Sequence, residues 1–295
     1  MLVVAKRAVR RALGMTGYEI HKKARPRINL SLYLRLYGEE PVRGRRFYNI
    51  GAGSFRHPAW TNVDHFSEWY APALRGGRMI DWDLMSLTPL PVESNSAEAV
   101  YTSHTIEHVT NEADAYMFRE AHRTLKRGAH FRIVAPDVEL IYGAYQRGDA
   151  DFLYWIDMYS EEQQWRRVKL RGPMNQESLH QAFLWSIASS ASVMHADGSP
   201  DRIDDGELAR VFSEAGFERA LDHCCSKCSL EVQRKYPGNH CNWFTKRKLS
   251  KMLREAGFGE VYVSGYGQSR CPVMRDTRLF DSSHPEISLF VEAVK

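Results

Sequence analysis

At 295 residues, 43% of them hydrophobic, the chain can bury a full α/β core and carry an added subdomain besides. No apolar run approaches the ~20 residues needed to span a bilayer, and Lys6 and Arg7 interrupt the apolar start too early for a signal peptide. The net charge of +4 is uneven: residues 1–46 hold 12 basic against three acidic side chains, a local +9 that leaves −5 on the rest, so an anionic partner is expected for this arm alone.

Residues 1–45 read as that basic arm. Val4, Ala8, Ala12 and Leu13 share one helical face with Lys6, Arg7, Arg10 and Arg11 largely off it, and a second helix is expected over residues 30–37. The arm suits either a peripheral contact with anionic lipid or a lipid-linked substrate, or a solvated helix packed on the core. Phe47, Tyr48 and Ile50 then form a strand ending in Gly51-Ala52-Gly53, where the backbone can approach a ligand closely. A second strand from Trp60 closes in Asp64. A strand, a glycine turn and a second strand ending in an acid are the parts of a nucleoside site, the carboxylate accepting hydrogen bonds from ribose hydroxyls. The turn is not a dinucleotide fingerprint, because its third glycine would fall at Arg56.

Strands are expected next at residues 78–80, leading into Asp81-Trp82-Asp83-Leu84, and at 99–103, followed by His104-Thr105-Ile106-Glu107-His108. A helix over residues 112–126, capped by Asn111, carries the stripe Ala113, Met117, Ala121 and Leu125 and stops at Gly128. Phe131, Ile133 and Ala135 alternate in a strand that ends at Pro136-Asp137. Residues 138–235, rich in Trp, Tyr, Met and charge, read as a helical insertion or lid for substrate. Within and beyond it, residues 207–217 and 248–258 echo one another as amphipathic helices closed by glycine. Residues 236–295 return to the core with strands at 261–263 and 288–294, separated by a loop whose length points to function.

Four stretches in order, Asn49-Ile50-Gly51-Ala52-Gly53, Thr61-Asn62-Val63-Asp64, residues 101–109, and residues 119–128 with the strand ending Ala135-Pro136-Asp137, resemble the class I S-adenosylmethionine (SAM)-dependent methyltransferases. The similarity is to the methyltransferase type 11 kind that serves bacterial glycan and small-molecule pathways, and it extends over residues 46–137 and 240–295. It implies a doubly wound α/β fold: a mostly parallel, seven-stranded Rossmann-like sheet with an antiparallel last strand and a mainly helical insertion. It implies SAM as cofactor, with Asn49, Gly51, Ala52 and Gly53 around its methionine part, Asp64 on the ribose, and Asp83 and Leu84 near adenine. Ser103 and His104 would border the sulfonium. Phe55 stands where the family often has a further glycine, and little room for a helix remains between Ser54 and Trp60.

Methyl transfer to an alcohol requires alignment and removal of one proton. His104, at the carboxyl end of a central strand, is the first candidate base, against a role in packing beside SAM. Asp137 on the same rim would bind substrate hydroxyls or cap a helix. His108, His180, His240 and Arg270 are candidate substrate contacts, while Glu107 and His108 are expected to stabilise the start of the following helix. Cys225 and Cys228 with His240 or Cys241 have part of a zinc-ligand spacing, but the second half lacks its own two-residue spacing. They read as reduced structural thiols, and no metal is expected. The whole predicts a cytoplasmic methyltransferase, with the inner membrane face as a second address, acting on a hydroxyl of a nucleotide-sugar or glycan. The alternatives are an N-methyltransferase of an amino-sugar or other small molecule, and a non-catalytic nucleotide-binding module of a glycan-assembly system. Nucleic acid is not an expected partner, since no Asn/Asp-Pro-Pro-aromatic motif follows the fourth strand and the body is net acidic.

Overall fold

The apolar runs become a single seven-stranded sheet in a computed structural model that describes residues 28–67, 69 and 79–295. Its strands are β1 (Phe47–Ile50), β2 (Trp60–Asp64), β3 (Met79–Asp81), β4 (Ala97–Ser103), β5 (Leu125–Pro136), β6 (Glu260–Ser264) and β7 (Ser288–Val294). They lie in the order β3-β2-β1-β4-β5-β7-β6. All pairings are parallel except those of β7, which runs against both neighbours. The strand order reverses between β1 and β4, so their carboxyl ends open the crevice where doubly wound sheets bind ligands.

Two helices precede the sheet, α1 (Leu30–Tyr37) and α2 (Glu39–Gly44), so the expected second helix of the arm is present; its first helix lies outside the described residues. The helices that follow are α3 (Asn111–Thr124), α4 (Val138–Gln146), α5 (Trp155–Met158), α6 (Glu162–Arg167), α7 (Leu179–Trp185), α8 (Asp205–Ala215), α9 (Phe217–Ser226), α10 (Leu230–Lys235) and α11 (Lys246–Glu255). The two echoing segments are α8 and α11, each followed by a glycine at positive φ. Among the described residues no helix is long and apolar enough to cross a membrane.

Helix α3 departs from expectation at both ends. Its cap is Thr110, whose hydroxyl accepts from the Ala113 amide at 3.2 Å, and Asn111 already lies inside. It stops at Thr124 because Leu125 is drawn into the sheet opposite Ala97, and the turn at Gly128 falls within β5. Of the expected stripe, Met117 and Ala121 join Phe118, Phe131 and Ile133 and, from α11, Leu249 and Leu253 in one core, while Ala113 is buried outside it and Leu125 enters that core from β5.

No helix follows β1. Residues 51–59 make only turns, and the space is filled from elsewhere in the chain. Tyr33 of α1 accepts the Trp60 indole hydrogen bond at 2.8 Å and packs edge-on to Phe47, while Phe280 from the long loop covers Trp60 and Tyr101. A separate apolar cluster joins α4 and α7 with Trp155, Leu170 and Met194, and reaches the core through Trp243 and Ile287.

One buried cation ties the long loop to the sheet. Arg132 on β5 is fully buried, donates twice to Asp281 at 2.8 and 2.5 Å, and reaches Glu292 of β7 at 2.8 Å. Its remaining hydrogens go to the Ser264 hydroxyl and the Gly265 carbonyl. Burial works against the Glu292 charge, but hydrogen bonds from Ser269 and Tyr262 and the charge of Arg132 hold its carboxyl below the ordinary 4.5. Arg132→Ala is expected to lower stability in urea melts by about 3–5 kcal/mol, because two carboxylates would be left buried without their cation. In the native chain the contribution of Glu292 is full above pH 4.5 and is lost progressively as the pH falls below it, so the urea midpoint should drop on acidification in that range.

Candidate functional site

The glycine turn is shaped by one close approach. Gly51 has φ +67°, and a Cβ there would stand 2.1 Å from Thr105 Oγ1. Thr105 belongs to the turn after β4, so strands β1 and β4 can end side by side only if position 51 carries no side chain. Gly53, also at positive φ, has nothing within 4 Å of its absent Cβ, and its amide donates to Asp64 Oδ2 at 2.7 Å. His65 N donates to the other carboxylate oxygen, and burial raises the Asp64 pKa against both bonds.

Gly51, Gly53, Asp64, Asp83, Leu84 and His104, all anticipated from sequence, line one cavity of about 380 Å3. That volume is in the range of small-molecule sites, about 300–1,000 Å3. Trp82, Met85 and Thr105 complete much of its wall and were not anticipated. Asp83 also accepts from the Met85 amide, fixing the turn that follows. Asn49, Ala52 and Ser103 occupy the same strand ends without forming part of the lining.

A second, narrower cavity of about 100 Å3 lies on the far side of His104. Its wall is aromatic, with Tyr154, Trp155, Tyr159 and Trp185 from the insertion, and His240 and His284 also face it. His104 lines both cavities. Its backbone holds φ +50°, an uncommon conformation for a residue with a side chain. Its ring is gripped at both nitrogens: Nδ1 is 3.1 Å from Glu107 Oε1, and Nε2 is 2.8 Å from Ser288 Oγ. The Ser288 hydroxyl donates to the His284 carbonyl at 2.7 Å, so its oxygen is the acceptor facing Nε2, while the Glu107 carboxylate stands against Nδ1. Glu107 is 1% exposed. Burial alone would raise its pKa, but His104, His108 and His240 pull it down to about 2. Glu107 and His108 therefore pack against His104, and the start of α3 is capped by Thr110.

Other anticipated residues lie elsewhere. Asp137 lines neither of these two cavities and caps α4 by accepting from the Glu139 and Leu140 amides. His180 stacks edge-on to Tyr145 away from both cavities, and Arg270 pairs with Glu260 over the Tyr262 ring. The cysteines are free thiols. Burial pushes Cys224 up to about 12 and raises Cys225, Cys228 and Cys241 as well, as expected of thiols packed as apolar groups. Among the described residues none of them joins a converging set of metal-binding side chains.

The family model described as a methyltransferase domain matches residues 60–133, which run from β2 into β5. No curated protein sequence matches the chain. Solved structures that resemble it include a SAM-dependent methyltransferase from Thermotoga maritima described as a possible histamine N-methyltransferase, at 15% identity over 85% of this chain and 81% of that one, TM-score 0.37. Another is a SAM-dependent methyltransferase from Mesorhizobium loti at 16% identity, covering 90% and 97% of the two chains, TM-score 0.38. A third, from Archaeoglobus fulgidus, has 12% identity over 90% and 93%, TM-score 0.39. Likenesses of this strength add no weight to the strand order and the domain match. Those two define a class I methyltransferase fold. The matched segment is thus that of a methyltransferase domain, and the glycine cradle and terminal acid of β2 fit SAM as its cofactor.

The two glycines differ in a way that stability can test. Gly51→Ala is expected to lower the urea midpoint by the equivalent of about 1–3 kcal/mol, whereas Gly53→Ala, which meets no neighbour, should cost distinctly less. Equal losses at both positions would show that the Thr105 contact does not govern the turn.

Proposed function

We propose that the protein is an O-methyltransferase acting on a hydroxyl of a sugar, carried as a nucleotide-sugar or glycan, with His104 as general base. The observation that carries this reading is that His104 lines both cavities, so one imidazole separates the larger, glycine-walled space from the smaller, aromatic one. In this reading the larger cavity takes SAM, with Gly51 and Gly53 against its amino-acid end, Asp64 on the ribose, and Asp83 and Leu84 beside adenine. Asn49, Ala52 and Ser103 shape the strand ends behind it. The smaller cavity takes the acceptor, and residues 138–235 are its binding insertion. Tyr154, Tyr159 and Trp185 offer the flat apolar faces on which a sugar ring stacks.

SAM, when bound, supplies an electrophilic methyl group, and the remaining demands fall on the chain. His104 takes the hydroxyl proton at Nε2 once the acceptor displaces Ser288 Oγ and the ring proton sits on Nδ1 beside Glu107. Glu107 holds the opposite nitrogen, fixes the tautomer and stabilises the charged ring that results. The walls from α5 and α7 exclude water from the acceptor side. Five free cysteines suit a reducing cytoplasm as the compartment.

Two substitutions test the assignment separately. Asp64→Ala should weaken S-adenosylhomocysteine binding in calorimetry about 10- to 150-fold, the worth of hydrogen bonds to a charged group. His104→Ala should leave that affinity nearly unchanged and reduce kcat with a sugar acceptor by about 10²–10⁴-fold. Full activity in His104→Ala would favour an amine acceptor, which needs no strong base. Failure of the folded protein to bind either adenosyl ligand would sink the reading.

A further inference from the structure

Behind His104 the side chains make an arrangement that proton acceptance alone leaves unbalanced. Both carboxylate oxygens of Glu107 are buried without a hydrogen-bond partner of good geometry; the His104 Nδ1 contact at 3.1 Å is close enough for ion pairing but misaligned. His108 faces the same carboxylate, its Nε2 3.9 Å from Oε1. The other nitrogen of each neighbouring imidazole is already committed to a backbone carbonyl. His108 Nδ1 donates to Asn239 O at 3.0 Å, and His240 Nδ1 donates to Ser186 O at 2.7 Å. In a neutral ring that leaves Nε2 as a bare lone pair. One ligand atom from each of Glu107, His108 and His240 lies within 4.8 Å of the others, so two imidazoles converge on a carboxylate buried without a hydrogen-bond partner. A buried carboxylate in that setting calls for a cation.

We propose that Glu107, His108 and His240 bind a divalent transition-metal ion between the two cavities. Two imidazoles and one carboxylate form a donor set suited to Zn2+ and Fe2+, and sites of three protein ligands keep a position open for an exogenous ligand. Donor atoms up to 4.8 Å apart need only a small inward shift to bind an ion at about 2.1 Å. The surrounding bonds hold the ligands as outer partners do in metal sites. The Glu107 carbonyl accepts from the Cys241 and Asn242 amides, and Gln233 Nε2 bridges the His108 and Asn239 carbonyls. His240 is further pinned by its amide on Ser189 Oγ.

The consequence for chemistry rests on the O-methyltransferase reading. His108 lines the larger cavity and His240 the smaller, so the open position would meet the acceptor oxygen beside His104. A bound hydroxyl gives up its proton more readily, and that proton passes to His104 Nε2. The ion itself does not depend on this step, and its binding is measured apart from activity.

The test uses the full chain without a histidine tag, freed of metal with a chelator and titrated with Co2+ and Zn2+. One ion per chain by elemental analysis, with a Co2+ d–d absorption spectrum, is the expected result. Glu107→Gln and His240→Ala should each weaken binding by more than the ~10–100-fold typical of losing an outer partner. His180→Ala, on the same insertion but away from the cavities, should leave it unchanged. The metal site is overturned if the folded native chain takes up no ion, or if uptake survives both ligand substitutions. S-adenosylhomocysteine titration of the same samples keeps the two questions apart: binding intact with no ion sinks the metal site alone, and ion uptake without adenosyl binding sinks the methyltransferase reading alone.

Discussion

The Arg132 guanidinium is the interaction on which the functional end of the sheet depends. It sits in the middle of β5 with no exposure and holds carboxylates from two different elements, Asp281 of the long loop and Glu292 of β7. A buried cation with five donors must be satisfied from all sides, and that requirement draws the loop back over the sheet. Once Asp281 is fixed, Phe280 falls onto Trp60 and Tyr101, filling the space where no helix follows β1. A few residues further on, His284 and Ser288 arrive at His104. The loop thus acts as a structural strap that brings His284 to the wall of the smaller cavity.

The same economy applies at the crevice. Parallel strands β1 and β4 bring Gly51 and Thr105 into contact that only glycine permits, and this contact sets how closely the His104 turn approaches the glycine-walled cavity. His104 is then held in an unfavourable backbone conformation by Glu107 and Ser288, one on each ring nitrogen. Strain of this kind survives only where the surroundings over-determine the residue, and here they are a buried carboxylate and a strand terminus.

Much of the fold was legible from periodicity. The strands at β1, β2, β4, β6 and β7, the α3 stripe and the glycine-closed α8 and α11 all follow from local pattern and turn chemistry. The ends of α3 were misplaced because sheet pairing of Leu125 outweighs its helix propensity, which no local window reveals. Within the site, Gly51, Gly53, Asp64, Asp83, Leu84 and His104 could be anticipated because each sits at or near the end of a strand. Glu107 was undervalued, although its spacing in His104-Thr105-Ile106-Glu107-His108 puts three polar groups on one tight turn. What turns that spacing into a site is His240, more than a hundred residues away, together with the carbonyls of Ser186 and Asn239.

Sequence alone determined the sheet, the glycine turn and the acid after β2, because strand alternation, positive φ and strand-end position are local properties of a chain. Tertiary structure decided which histidines meet, which carboxylate is buried among them, and that Tyr154, Trp155 and Trp185 line a cavity against the same imidazole that borders the glycine-walled one. Those outcomes depend on burial and on contacts between distant segments, and the electrostatics of a buried carboxylate exist only once the chain has folded around it.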